Sequence, residues 1–242
     1  MTPTWFATFR QAEAASADDV ASLTKVLSLT PGLTKALIYT PARAQDPYLD
    51  DGQPPALALQ LYFADMAALH AAVSQHGHLQ AVAAADALPS LRGASVTHQA
   101  MLARAFPVPD PQFRTPKGAP HCTYLVAYDG SADDPEAWVT HYTEHHTAIM
   151  ARFPGIRAVE VATRVEWHDV LPWPRAHSML RNKVVFDDPD ALTAALNSPV
   201  RHEMRTDFAR FPKFTGPVTH YPMATIRIEP ARDSGTRPAP GQ

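Results

Sequence analysis

The chain has 242 residues, of which 45% are hydrophobic, and it carries a formal net charge of −3 at pH 7. This length allows one large domain or two small ones with a packed core. Lys and Arg are scattered, which excludes the basic surface of a nucleic-acid-binding protein. No apolar stretch could span a bilayer and the N-terminus resembles no signal peptide, so we expect a cytoplasmic protein without membrane or nucleic-acid partners.

Periodicity and turn residues predict six elements in each half of the chain. In the first half these are strand Trp5–Arg10, helix Ala17–Leu29, strands Leu33–Thr40 and Ala56–Phe63, helix Met66–Ser74 and strand Ala94–Leu102. In the second half they are strand Thr123–Tyr128, helix Pro135–Arg152, strands Ile156–Thr163 and His177–Phe186, helix Pro189–Asn197 and strand Pro217–Ile228. Residues 106–120 form a proline-rich linker, and residues 230–242 are predicted to be a flexible tail.

The two halves carry an internal repeat, which indicates two copies of one unit. Pro31-Gly32-Leu33 recurs as Pro154-Gly155-Ile156 at an offset of 123 positions, and two further segments recur at the same offset. The order strand–helix–strand–strand–helix–strand is that of the ferredoxin-like βαββαβ unit. We therefore predict an α+β fold in which two such units, residues 1–105 and 121–229, pack sheet to sheet as a barrel.

The first helix of the second half carries the strongest candidate site. At about 100° per residue, Trp138, Tyr142 and Ile149 share one apolar face, with His146 near its middle and His145 at its edge. Imidazole titrates near neutral pH, so His146 is a candidate general acid or base, and Tyr142 a candidate proton donor. Periodicity alone also allows a core histidine bonded to a backbone carbonyl and a merely buried tyrosine.

The same helix contains a short match to a metal-binding motif. His141-x-x-Glu144-His145 has the spacing of the inverted zinc-peptidase motif. The chain has 12 histidines, and no distal carboxylate ligand is recognisable. We therefore expect these residues to line the wetter flank of the helix and predict no metal site.

Several of these residues together resemble a known family. The run Trp138-x-x-His141-Tyr142-x-x-x-His146, with Phe153-Pro154-Gly155 and Phe186-Asp187-Asp188, resembles the EthD-like branch of the dimeric α+β barrel superfamily. The resemblance covers about residues 122–228. It implies a small-molecule pocket between helix and sheet, with His146 as the functional helix histidine. Family members are commonly single units that dimerise, which leaves a homodimer of this fused pair open, and some larger tandem relatives bind haem.

The repeat supplies an internal control for this site. At the offset of 123, His146 corresponds to Leu23 and Tyr142 to Asp19. The first half thus lacks the polar site, and we predict one working pocket per chain.

Two further groups of side chains are candidates for substrate binding. Arg181 would meet a substrate carboxylate or pair with Glu160 on the neighbouring strand. Trp167 and Trp173 lie in the loop 164–174 and would form a lid over a planar ligand or cover the barrel end. The complete substrate-binding set is Trp138, His145, Ile149, Trp167, Trp173, His177, Arg181 and His220.

Together these features predict a cofactor-independent lyase, with an isomerase as second choice. The substrate would be a small aromatic catabolic intermediate, on which His146 moves a proton with help from Tyr142. Two alternatives stay open. One is a haem-binding α+β barrel protein with a histidine as axial ligand, and the other is a non-catalytic small-molecule binding module.

Overall fold

Eight long strands and two short ones make up the sheets of the computed structural model, which describes residues 1–230. The strands are β1 Thr2–Arg10, β2 Leu33–Pro41, β3 Leu57–Phe63, β4 Ser95–Phe106, β5 His121–Tyr128, β6 Ser131–Ala132, β7 Ala158–Arg164, β8 Leu180–Phe186, β9 Phe214–Thr215 and β10 Val218–Ile228. The predicted tail, apart from residue 230, lies outside the described residues.

Helices connect these strands. They are α1 Ala17–Ser28, α2 Met66–Val73, α3 Gln80–Ala83, α4 Pro135–His141, α5 Thr147–Met150, α6 Pro189–Leu196 and α7 Pro199–Phe208. A π-helical turn at Tyr142–His146 joins α4 to α5, and a 3₁₀ turn lies at Pro89–Leu91. No helix of the described part is long and apolar enough to cross a membrane.

The eight long strands form a closed antiparallel barrel in the order β1-β3-β2-β10-β5-β8-β7-β4. The halves meet edge to edge, because β2 pairs with β10 and β4 pairs with β7. The predicted α+β barrel is therefore confirmed. It closes by backbone hydrogen bonds within one chain, which leaves none of the eight strands with a free edge.

Alternation along the strands separates three cores. Phe6, Tyr39 and Met223 point into the barrel. Outside it, one apolar core lies under α1 and α2 of the first half. A second core, which includes Trp138 and Phe186, lies under the helices of the second half. Cys122 is fully buried in this second core, and burial raises the pKa of its thiol to about 12.

The predicted helix Pro135–Arg152 begins as expected but is not a continuous α-helix. Asp134 caps it by accepting a hydrogen bond from the Ala137 backbone N–H at 3.0 Å. The π turn then inserts one residue into the helical spiral and rotates everything after it. The helical segment ends at Met150, shortly before Gly155, whose φ is +75°.

Other differences concern segments without clear periodicity. Helix α7 is absent from the predicted elements because it is largely polar and directly follows α6. The predicted strand from His177 begins only at Leu180, so His177 lies in the loop before β8. Strand β4 runs on to Phe106, into the predicted linker. Within the linker, Asp110 pairs with Arg157, and the Arg114 backbone N–H donates a hydrogen bond to Asp187, which also pairs with Arg157.

Candidate functional site

A cavity of about 370 Å³ lies in the second half, between the outer face of β5, β8 and β10 and the helices α5, α6 and α7. Its volume falls within the range of about 300–1,000 Å³ that is usual for small-molecule sites. The lining is mainly aromatic and apolar, and it includes Tyr124, Tyr128, Tyr142, Phe153, Met204 and Phe208. Such a lining favours a planar, largely apolar ligand.

His146 lines this cavity and is held by a buried carboxylate. Its Nδ1 lies 2.8 Å from Oδ2 of Asp207, which is in the last turn of α7. The other carboxylate oxygen, Oδ1, lies 3.0 Å from Nε2 of His141. Burial alone would raise the pKa of Asp207, but the hydrogen bonds from His146 and His141 hold it below its usual value. Asp207 is therefore an ionised acceptor shared by two imidazoles.

The tautomer of His146 follows from this contact. Burial lowers the pKa of His146 to about 4, although Asp207 acts in the opposite direction. The ring is neutral at pH 7, and its single proton is assigned to Nδ1, which faces the carboxylate. Nε2 makes no hydrogen bond within residues 1–230 and is not fully enclosed. A molecule in the cavity thus meets an unprotonated imidazole nitrogen.

Tyr142 places a second polar group on the same cavity. It follows α4 directly, and the π turn brings it one turn before His146, with ring centroids 4.8 Å apart. Asn182 on β8 donates a hydrogen bond from Nδ2 to the Tyr142 hydroxyl. Burial raises the pKa of Tyr142 well above its usual value, so the phenol keeps its proton at neutral pH. Next to it, burial raises the pKa of Tyr128 to about 12.

A loop from the first half, residues 42–56, borders the mouth of the cavity and contributes Leu49 to its lining. Asp46 in this loop pairs with Arg201 of α7 at 2.7 Å and accepts a hydrogen bond from the Tyr124 hydroxyl at 2.8 Å. Asp51 accepts from the backbone N–H of His220 and contacts its Nδ1 at 2.9 Å. His220, one of the predicted substrate-binding residues, therefore does line the cavity.

Arg205 is a further cation at this mouth. Its guanidinium lies 4.4 Å from the ring centroid of Tyr48, and it forms no ion pair within the described part of the chain. An exposed guanidinium beside an aromatic cavity is suited to a carboxylate group on the ligand.

Trp167 and Trp173 do not reach this cavity. Trp173 stacks on Trp5 at a centroid distance of 6.3 Å, and Trp167 lies 5.1 Å from the ring of His98, all in the first-half core. The reason is barrel closure. Because β7 pairs with β4, the loop after β7 emerges beside the first half, and because β2 pairs with β10, the loop after β2 covers the second half. The loop 42–56, and not the predicted loop 164–174, therefore lies beside the His146 cavity.

Three predicted helix contacts lie outside the cavity lining. Trp138 is fully buried beneath it, stacked on Tyr142 at 5.0 Å, and its Nε1 has no hydrogen-bond partner within residues 1–230. His145 is exposed to solvent and Ile149 is half-buried. Met150 and Phe153, on the same predicted face, do line the cavity, and the π turn rotates Ile149 away from it.

Arg181 and His177 line a separate cavity of about 290 Å³ at one end of the barrel. Arg181 donates to the Ser178 hydroxyl at 3.1 Å and points into the barrel. The alternative pairing of Arg181 with Glu160 is wrong. The register places Glu160 opposite Lys183, and these two form an ion pair at 3.0 Å.

The arrangement of the helix residues bears on the metal and haem alternatives. Glu144 and His145 are exposed while His141 is engaged by Asp207, and no group of three metal-ligating side chains converges in the described residues. For haem, His146 Nε2 would be available to the iron. The cavity beside it measures about 370 Å³, and the haem alternative stays a prediction.

Asp207, Asn182 and Arg205 are site residues that sequence reasoning missed. A Ser198-Pro199 pair is a usual helix start and could have revealed α7. The side chain of Asn182 points to the opposite face of β8 from those of Arg181 and Lys183, and no sequence signal tells which of the two faces meets the helices.

No protein-family model and no curated protein sequence matches the chain. Among solved structures, an anthrone oxidase-like protein is 10% identical with a TM-score of 0.62, covering 94% of this chain and 93% of that chain. A candidate monooxygenase from Fusobacterium nucleatum subsp. nucleatum ATCC 25586 is 10% identical with a TM-score of 0.56, covering 95% and 94%. An ethyl tert-butyl ether d (ethd) family protein from Bacillus halodurans C-125 is 20% identical with a TM-score of 0.33, covering 41% and 96%. The chain shares the α+β barrel fold of the first two proteins.

Proposed function

We propose that this protein is an enzyme that moves a proton on a small aromatic substrate, with His146 as the general base. The observation that carries the proposal is the orientation of one imidazole. Asp207 holds Nδ1, and the unprotonated Nε2 faces an aromatic-lined cavity. A histidine that merely filled the core would have both nitrogens engaged or enclosed.

The reaction would begin with the substrate ring in the cavity, against the aromatic wall that includes Tyr128 and Phe208. His146 Nε2 takes a proton from an acidic O–H or C–H group, and the imidazolium that forms is stabilised by the Asp207 carboxylate. The electron pair left on the substrate moves towards a carbonyl or phenol oxygen. Tyr142 is still protonated at neutral pH, but its hydroxyl is buried next to Asn182 and Tyr128, so it would donate to that oxygen in place of Tyr128 once the substrate is bound.

A lyase or isomerase completes this cycle without an added redox partner. In a dehydration the electron pair expels a hydroxyl group, which takes the proton from His146 and leaves as water. In a decarboxylation the carbon–carbon bonding pair stays on the substrate when carbon dioxide leaves, and His146 gives its proton to that carbon. In an isomerase His146 returns the proton to another carbon. Arg205 at the mouth would hold a substrate carboxylate, which is the role that the sequence suggested for Arg181.

The same first step also permits a second candidate function, the oxidation of the deprotonated ring by molecular oxygen. The names of the two structures that share the fold, an anthrone oxidase-like protein and a candidate monooxygenase, favour it. At 10% identity these two structures indicate a shared fold only, and the reaction is proposed from the residues that line the cavity.

We also propose that the chain consists of two ferredoxin-like units. Two runs of four neighbouring strands support this, namely β4-β1-β3-β2 and β10-β5-β8-β7, which have the same order within each half. The first unit has Leu23 in the place of His146, and it lies buried in the first-half core. Since one chain closes the barrel by itself, a homodimer is not needed for closure and stays a prediction, as does the cytoplasmic location.

The test is turnover of a panel of hydroxylated aromatic carboxylates and ketones, followed by mass spectrometry in air and under nitrogen. The expected result is product formation that His146→Ala abolishes and that His202→Ala, an exposed histidine on α7, leaves unchanged. Equal rates under nitrogen identify a lyase or isomerase, whereas oxygen uptake identifies the oxidase. Turnover by His146→Ala at the wild-type rate would refute the mechanism, and ligand-induced stabilisation without product would indicate a binding module.

A further inference from the structure

A second cavity, of about 730 Å³, opens at the barrel end next to the linker, away from the His146 site. Its walls are inward-facing side chains of β2, β7, β8 and β10, and linker residues 113–119 lie across it. The proposed reaction uses none of these residues.

The positive charge of this barrel-end cavity is only partly neutralised. Lys35 and Lys183 both lie over the ring of Tyr62, with Nζ 3.7 and 5.0 Å from its centroid. Glu160 pairs with Lys183 at 3.0 Å, and it also accepts a hydrogen bond from the Tyr62 hydroxyl. Lys35 forms no ion pair within residues 1–230.

Glu160 and, at the rim, Glu229 act on Lys35 from a distance, but within the described residues no carboxylate lies within ion-pair distance of its Nζ. Arg227 and Glu229, which both line the cavity, pair with each other at 2.6 Å. Lys117 of the linker also lines it, as does His121. Burial and then Lys183 lower the pKa of His121 to about 4, so this imidazole is neutral at pH 7.

A half-buried ammonium without a partner is unfavourable, and this one also faces a second ammonium. Burial, followed by Lys183, lowers the pKa of Lys35 to about 8, so the group still carries a proton at neutral pH. An anion placed beside Lys35 would offset both the burial of its ammonium and the repulsion by Lys183. The remaining walls are apolar and include Leu37, Ala158 and Val185. The ligand that suits this cavity thus combines a carboxylate with an apolar body.

We propose that the barrel-end cavity is a second ligand site, separate from the His146 cavity, which binds an aromatic carboxylate through Lys35. The carboxylate lies against the Lys35 ammonium, and the ring lies against the apolar wall formed by Leu37, Ala158 and Val185.

The test is calorimetric titration with 2-naphthoate and with its uncharged analogue 2-naphthamide. Lys35→Met is expected to weaken naphthoate binding about tenfold or more, the usual effect of losing one charge-assisted hydrogen bond. Lys35→Arg keeps the charge and should bind within a few-fold of wild type. Lys25→Met, which removes an exposed lysine on α1, is the matched control and should leave the affinity unchanged.

Arg205→Met distinguishes the two cavities. If it weakens naphthoate binding while Lys35→Met does not, the anion binds beside His146 and the proposal is wrong. It is equally wrong if the wild type binds no naphthoate, or if naphthamide binds as tightly as naphthoate. Circular dichroism of each variant separates loss of binding from loss of folding, and a Lys35→Arg variant that folds but fails to bind also contradicts the proposal.

Discussion

The burial of His146 makes part of the protein's stability depend on pH. Its pKa is about 4 in the folded chain, against about 6.5 for an unperturbed histidine. At a pH between about 4 and 6.5, the His146 side chain is protonated in the unfolded chain and neutral in the folded chain. By linkage, the stability that is present above pH 6.5 is lost as the pH falls towards 4.

The size of this loss follows from the two pKa values. A difference of about 2.5 units at about 1.4 kcal/mol per unit gives an upper value of about 3 kcal/mol, of which about 2.5 kcal/mol is lost by about pH 4.5. Asp207 titrates below its usual range because His146 and His141 donate to it, so it contributes little above pH 4.5.

His146→Gln removes the titrating group and keeps a side-chain donor for Asp207. Urea unfolding of both proteins at pH 7.5 and 4.5 gives two free energies of unfolding for each. We expect the advantage of wild type over His146→Gln to shrink by about 2 to 3 kcal/mol at pH 4.5. Histidines that do not contact Asp207 cancel in this difference, and His202→Gln, exposed on α7, should show no such change. An advantage that stays constant, or grows in acid, would refute the reasoning.

Three further predictions follow from other buried groups. Lys183→Met should lower the free energy of unfolding by about 3–5 kcal/mol because it removes the cation that is paired with the buried Glu160 carboxylate. The double variant Lys183→Met/Glu160→Gln should recover most of that loss in urea titrations. Asp46→Asn should weaken the Arg201 contact that holds the loop 42–56, detected as faster proteolysis of that loop with little change in melting temperature. Cys122 should resist a thiol reagent at pH 8 in the folded protein and react fully in denaturant, because its pKa is about 12.

The architecture could be predicted from the sequence because it depends on patterns that repeat. Apolar alternation and Pro-Gly turns located the eight barrel strands to within a few residues, and helical periodicity turned His146 inward. These signals are local, since each element carries its own pattern.

The composition of the site could not be predicted in the same way. Asp207 lies 61 positions from His146, on a polar helix that follows α6 without a loop signal. The exchange of long loops between the halves depends on which strand edges meet, and only the closed barrel fixes that. Arg181 and Asn182 are neighbours on β8 and point to opposite faces of the sheet. The way β8 pairs in the barrel decides that Asn182, and not Arg181, lines the His146 cavity.

The most direct test of the account is the protonation state of the His146 ring. Long-range ¹H–¹⁵N correlation spectra of labelled protein at pH 7, with His146→Gln used to assign the signals, report each imidazole nitrogen separately. We predict a protonated Nδ1, shifted by its hydrogen bond to Asp207, and an unprotonated Nε2 whose resonance moves when an aromatic ligand is added. A proton on Nε2, or an Nε2 resonance that no ligand moves, would contradict the assignment of His146 as the base in this cavity.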